Sequence, residues 1–223
     1  NWRPTEELLD AGHSDAIDGP FQYDDHHSIV DHTHIRSLQR ALVTSWSPKS
    51  FSDDPRSAMY RPLVLISYAL NYALHEYETA GYHLLNIVIH ALNSCLPYLL
   101  IRHLGGSLVS AVVASALFAL HPVNGEAVVY ISSRSESLCA MFYILAFFFY
   151  QISDPKRTAF CRWKLLGVVA FALALMSKSV AITLPALLLV FEFLRSPNDR
   201  ISSQARAIVS RQWPFWTVGF IYL

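Results

Sequence analysis

The sequence predicts an all-α protein, a polytopic bundle of membrane helices behind a polar first segment, and three observations predict it. Of its 223 residues 53% are hydrophobic and only 15% charged, against about 25% charged in an ordinary soluble domain. From Tyr82 onward the chain is a series of apolar runs broken by short polar connections. Lys and Arg fall unevenly on those connections, as they do in proteins that cross a bilayer several times. The polar residues before about position 80 form one unit, and 81–223 form the multi-helix membrane domain. The 17 basic and 17 acidic residues cancel, which gives no support to a nucleic-acid partner. Three cysteines (Cys95, Cys139, Cys161) make no disulfide framework and are expected to pack as small apolar groups. The start without Met and the end inside the apolar run 213–223 read as a piece of a longer membrane protein, cut at both ends.

The elements follow in order. Residues 1–20, with Pro4, Gly12, Gly19 and Pro20, read as irregular apart from a helical turn at 5–9. One or two short helices are expected within 28–45, and 45–58 is loop by composition. Pro62 suits a first helical position. Leu63, Ile66, Leu70 and Leu74 then recur at helical spacing. That run is shorter than the roughly 20 residues a crossing requires, so it predicts an amphipathic helix in the interface, with Tyr68, Tyr72 and Tyr77 as interfacial rings.

The stretch 82–102 is long enough to cross. His83, Asn86, His90, Asn93 and Pro97 fall on it within an arc of about 80°. Such a polar stripe faces protein or a wet cavity and not lipid. Gly105-Gly106 is a turn, 108–120 an apolar run ending at His121-Pro122, and 123–137 a polar connection or a helix end. The runs 138–152, 165–176 and 180–194 follow. One helix over 165–194 would be about 45 Å long, too long for a single crossing. Two legs meeting at Lys178 are predicted.

One set of connections holds Arg102, then Lys156, Arg157, Arg162 and Lys164, then Arg195, Arg200, Arg206 and Arg211. The other set holds Arg134 and Lys178 alone. Lys and Arg collect on the cytoplasmic side. The connections at Arg134 and Lys178 therefore face the other compartment, and by alternation so does everything before Tyr82.

That surface gathers the acid pair Asp24-Asp25, the connection from His121 to Glu126, and two isolated cations. A carboxylate can serve as general base toward a hydroxyl, and a cation can stabilise charge developing on a leaving phosphate. Together they suit transfer from a lipid-linked phosphate donor, with its tail between helices and its phosphate at Arg134 or Lys178. A rival reading rests on Asp24, Asp25, His26, His27, Asp31, His32 and His34, all good divalent-metal ligands within eleven residues. Their spacing matches no named zinc motif. They leave a bound divalent metal, and a metal-handling transporter, open. A non-catalytic membrane scaffold is the third class.

Several motifs carry a resemblance. They are Tyr60-Arg61-Pro62-Leu63 leading to Ser67-Tyr68-Ala69-Leu70-Asn71, then Tyr82-His83-Leu84-Leu85-Asn86 and His90-Ala91-Leu92. Further on come Leu117-Phe118-Ala119-Leu120-His121-Pro122-Val123 with Glu126-Ala127, Ser133-Arg134, Leu175-Met176-Ser177-Lys178 and Thr183-Leu184-Pro185. In this order, over about 21–194, the chain resembles the transmembrane and tetratricopeptide-repeat-containing protein O-mannosyltransferases. The resemblance implies a GT-C glycosyltransferase fold whose large first luminal loop carries an acidic motif and interfacial helices.

It also implies dolichyl phosphate mannose as lipid-linked donor and Ser or Thr hydroxyls of secretory-pathway proteins as acceptors; no cofactor is called for, and a divalent metal stays open. The location it implies is the endoplasmic reticulum membrane, multi-pass, with residues 1–80 luminal. Asp24 takes the place of the motif's first acid. Asp25 stands where related enzymes have Glu. On this reading Asp24 is the base and Asp25 orients the acceptor. Arg134 and Lys178 meet the donor phosphate with help from Arg61, and His90, His121 and Glu126 line the cavity. A repeat array is expected beyond residue 223.

Overall fold

A computed structural model describes residues 20–21, 25–47, 59–153, 162–195 and 201–223. Every regular element among them is helical. The turn expected at 5–9, Asp24 and Cys161 lie outside the described residues.

Three short helical pieces open the described chain: His26–Val30, Thr33–Arg36 and α1 (Leu38–Thr44). Ile29, Ile35 and Ala41, one from each piece, are fully buried. They join the cluster formed by α2 (Pro62–His75) through Val64, Leu65 and Tyr68. Helix α2 starts at the proline the sequence marks. Its predicted apolar line divides: Leu63 packs against this cluster while Leu70 and Leu74 are exposed, and Val64, Leu65 and Tyr68 are buried. Tyr68 corrects the expectation of an interfacial ring. It is fully buried, because its face carries a guanidinium described below. Tyr72 and Tyr77 pair edge to face at 5.1 Å. The helix stops at Glu76, whose φ of 51° lies in a region costly for a residue with a Cβ. The Tyr82 hydroxyl donates to the Glu76 carbonyl at 3.0 Å and holds that turn.

Helix α3 (Thr79–His103) contains the predicted crossing and is about 37 Å long. Its polar stripe faces protein. Asn93 Nδ2 donates to the Ser137 carbonyl at 2.8 Å, a His83 ring nitrogen lies 3.4 Å from the Val128 carbonyl, and Asn86 is fully buried. Gly105, at φ +85°, turns the chain out of α3. Ser107 Oγ then caps α4 (Leu108–Leu120) by accepting from Ser110 N at 3.0 Å. Helix α4 bends by 55° at its junction with the segment Pro122–Val129, which includes α5 (Glu126–Val129). Among the described residues, Thr79–His103 and Ile131–Ile152 are long and apolar enough to cross a membrane, and the bent pair makes a third if counted as one span.

Helix α6 (Arg134–Ile152) is the common wall of the molecule. It begins four residues before the predicted apolar run, because its first turn is buried through Arg134, Ser135 and Ser137. Leu138 belongs to the apolar cluster around α2 and α3, and Cys139 to a second cluster with Phe171, Leu184 and Phe215. Helices α7 (Arg162–Leu175) and α8 (Leu184–Arg195) are the two predicted legs, joined through Lys178 and the turn Ser179–Thr183. A Cβ on Gly167 would stand 3.3 Å from the Phe215 ring and 3.4 Å from the Ala146 carbonyl. The absence of a side chain there lets α7 lie close to α6 and to α9 (Ile201–Tyr222).

Of the basic residues that the sequence groups together, the described Lys164, Arg195 and Arg211 share one end of this bundle. Arg211 pairs with Glu192 and donates to the Tyr150 and Ser153 carbonyls at 2.6 and 3.0 Å. Arg195 donates to Gln151 at 3.3 Å, and Lys164 to the Ser210 carbonyl at 3.1 Å. Arg134 sits at the other end of α6, about 24 Å from Tyr150 along the axis.

Candidate active site

The N-terminal end of α6 collects residues from four parts of the chain. Asp25 precedes the helical piece His26–Val30 and is 1% exposed. Its Oδ1 accepts from the backbone N–H of Ser132 at 2.8 Å and also from the Ser132 hydroxyl. Two donors from one residue hold the carboxylate by charge-assisted bonds, roughly twice as strong as neutral ones. Ser135 Oγ donates to the Ser132 carbonyl at 3.4 Å and accepts from Arg61 at 3.2 Å. Two residues beyond Arg61, the Leu63 N–H reaches the Met176 carbonyl at 3.3 Å, tying the start of α2 to the Lys178 turn. Asp24 lies outside the described residues and is bonded directly to Asp25.

Arg134 is fully buried, where an unpartnered guanidinium would cost several kcal/mol. Its Nε donates to Asn86 Oδ1 at 2.8 Å, one terminal nitrogen to Asn71 Oδ1 at 2.6 Å and the Ser67 carbonyl at 3.4 Å, and the other to the Tyr82 carbonyl at 3.0 Å. The guanidinium carbon lies 4.8 Å from the Tyr68 ring centre and 5.6 Å from that of Tyr82. Neutral oxygens and two π faces thus share the charge. Burial pushes the Tyr68 phenol well above its usual range, so it stays a neutral donor, 3.3 Å from the Ile131 carbonyl. The surface position facing a phosphate that the sequence suggests for Arg134 is not where the fold puts it. Its carbonyl cage belongs to α2 and α3.

Lys178 is accessible. Its Nζ stands 2.5 Å from Glu136 Oε1 on the first turn of α6, with the two side chains 30% and 63% exposed. The Lys178 backbone is held by its N–H on the Ala174 carbonyl at 3.0 Å and by the Cys139 thiol 3.9 Å from its own carbonyl. The pair stands on a cleft of about 360 Å³, whose walls include Cys139, Ala140, Tyr143 and Ile144 from α6 and Val180 and Thr183 from the next turn. From Glu136 to Ile144 the cleft follows one face of α6 for about 12 Å. Its mouth is charged and its wall apolar.

Asp25, Arg61, Arg134 and Lys178 therefore converge on residues 131–139, through Ser132, Ser135 and Glu136. The other predicted cavity residues do not. His90 lies with one ring nitrogen 3.2 Å from the Ala119 carbonyl and its ring stacked on Phe118, so it serves the α3–α4 contact. His121 is exposed and caps the next turn, its Nδ1 accepting from Val123 N at 3.3 Å. Glu126 is exposed. Among the described residues, no group of three or more His, Cys, Asp or Glu side chains converges in a way that could hold a metal ion. Sequence reasoning passed over Ser132, Ser135 and Glu136. The signal was a polar run, Ser132-Ser133-Arg134-Ser135-Glu136, placed directly ahead of an apolar helix.

Residues 58–223 match the family model described as dolichyl-phosphate-mannose-protein mannosyltransferase. Curated relatives include protein O-mannosyl-transferase TMTC3 of Homo sapiens, 31% identical over 177 residues, covering 77% of this chain and 19% of the relative. Protein O-mannosyl-transferase Tmtc1 of Drosophila melanogaster is 33% identical over 173 residues, covering 75% and 20%. Protein O-mannosyl-transferase TMTC4 of Mus musculus is 29% identical over 203 residues, covering 80% and 27%. The chain spans about a fifth to a quarter of the length of these relatives. No solved structure matches it. With the larger part of its length matched by that model, the chain belongs to the dolichyl-phosphate-mannose-protein mannosyltransferase family.

Proposed function

We propose that this chain forms the donor end of an enzyme that transfers mannose from dolichyl phosphate mannose to Ser or Thr hydroxyls of secretory-pathway proteins, at the luminal face of the endoplasmic reticulum membrane. The observation that carries the reading is the tie between Asp25 and Ser132, at the same end of α6 as the Lys178 cleft. An acid, Asp25, and an accessible cation, Lys178, remote in sequence, are thereby held through Ser132 and Glu136 at one end of α6.

In the proposed reaction the acceptor oxygen attacks the anomeric carbon from the face opposite the phosphate. A C–O bond forms as the bond from carbon to phosphate oxygen breaks, which inverts the configuration. The phosphate leaves with the electron pair, and the hydroxyl proton passes to a carboxylate. Asp24 is assigned as that base. Asp25, whose Oδ1 is bound to Ser132, is assigned to position the motif. Lys178 is assigned to the phosphate, where a cation is worth most as charge develops, and the wall at Ala140, Ile144 and Val180 to the first part of the isoprenoid tail. Arg61 supports the site through Ser135. Arg134 is assigned a positioning role through the turn that carries Ser132.

The test is incubation of the full-length protein in lipid nanodiscs with dolichyl phosphate mannose and a secretory acceptor, with hexose addition read by mass spectrometry. Wild type adds hexose. Asp24→Asn and Lys178→Gln lower the rate at least a hundredfold while the protein remains inserted and folded. No transfer by wild type favours the scaffold reading, and normal transfer by Asp24→Asn removes Asp24 as base.

A further inference from the structure

Glu136 has no part in the transfer chemistry just described, yet its carboxylate stands 2.5 Å from Lys178 Nζ at the mouth of the cleft. We propose that Glu136 is a release residue: it gives up Lys178 when the donor phosphate enters and takes it back to expel the product. This rests on the reading that Lys178 holds the donor phosphate.

The argument is one of charge. The donor phosphate is a diester carrying one negative charge. Once the C–O bond to the sugar breaks, the lipid left behind is a monoester with a charge of about −1.5 to −2 at neutral pH. The cation that must bind the donor therefore binds the product more strongly, and an uncorrected site would be held by its own product. A carboxylate tethered within bonding reach of the same ammonium competes at high local concentration without diffusing to the site.

Glu136 is placed to do this. It is the more exposed partner of the pair, at 63% against 30%, so it can swing to solvent while Lys178 stays. The Lys178 backbone is pinned by bonds to Ala174, Cys139 and Ala181. The charges facing Lys178 across the cleft come from Glu136 alone among the lining residues, the others being Cys139, Ala140, Tyr143, Ile144, Val180 and Thr183.

The test uses the full-length protein in nanodiscs and dolichyl monophosphate as probe, measuring its equilibrium binding and its inhibition of transfer in wild type, Glu136→Gln, Lys178→Met and the double variant. Glu136→Gln is expected to bind the monophosphate about three- to fivefold more tightly, the size of a partly exposed ion pair, with inhibition strengthened in parallel and the gain erased by Lys178→Met. Equal or weaker binding by Glu136→Gln, with Lys178→Met still weakening binding, overturns the release role and leaves the donor reading intact. Binding insensitive to Lys178→Met in both backgrounds overturns the assignment of Lys178 to the phosphate, and this inference with it.

Discussion

At the scale of single residues, two side chains of like charge have opposite fates within one helix end. Lys178 is set at a cleft mouth, and Arg134 is enclosed among Asn71, Asn86, Ser67 and the Tyr82 carbonyl. Both stood out in the sequence as isolated cations, each on a short polar connection between apolar runs. Their difference was not legible there, because the cage around Arg134 comes from α2 and α3, some fifty to seventy residues away. Arg134→Ala leaves those oxygens without their donor and opens a cavity, and is expected to cost about 3–5 kcal/mol, read as a lowered unfolding midpoint of the solubilised protein. Arg134→Lys is expected to recover little of this, since an ammonium cannot reproduce the planar fork. Ser132→Ala removes the hydroxyl that donates to Asp25. It is expected to lower the transfer rate by about tenfold or more, the scale of a lost hydrogen bond to a charged group. An unchanged rate would detach Asp25 from the site.

At the scale of elements, the helices were legible where the pattern was strong. Pro62 marked the start of α2, the run 82–102 lies within α3, and the two legs meeting at Lys178 are α7 and α8. In α2 the line from Leu63 to Leu74 divides, Leu63 packing on the core while Leu70 and Leu74 are exposed; what the sequence did not show was the burial of Tyr68, whose ring packs on Arg134 from α6. The start of α6 was left open: 123–137 is polar enough for a connection or a helix end, and the fold makes 134–137 the first turn of α6, with Arg134, Ser135 and Ser137 buried. Gly81 exposes how closely α2 and α3 approach. A Cβ there would fall 2.4 Å from the His75 ring and 2.9 Å from its Cβ. Gly81→Ala is therefore expected to destabilise the helix pair by about 1–3 kcal/mol, measured as a loss of thermal stability, and to disturb the Asn71 bond to the Gly81 carbonyl at 3.1 Å. Arg134 depends on that Asn71, so the damage is expected to spread to the site.

At the scale of the whole molecule, the chain has two charged ends with an apolar wall between them. Arg211 lies 4.1 Å over the Tyr150 ring at one end, as Arg134 lies over Tyr68 at the other. On the proposed orientation, which rests on the Lys and Arg distribution, the Arg211 end faces the cytoplasm. A cysteine placed at Ser179, which is exposed beside Lys178, is then expected to react with an impermeant thiol reagent only from the luminal side of sealed microsomes. Reaction from the outside would reverse the orientation.

The central claim is that a lipid phosphate enters beside Lys178, next to the anchored acid motif. The most direct test is photolabelling of the full-length protein with a dolichyl phosphate analogue carrying a photoreactive group near its phosphate, the attached peptides being mapped by mass spectrometry. The account predicts label on 136–144 and 178–183, competed by dolichyl phosphate mannose. Label confined to the opposite end of the bundle, around His103, Gln151 and Arg195, would contradict it.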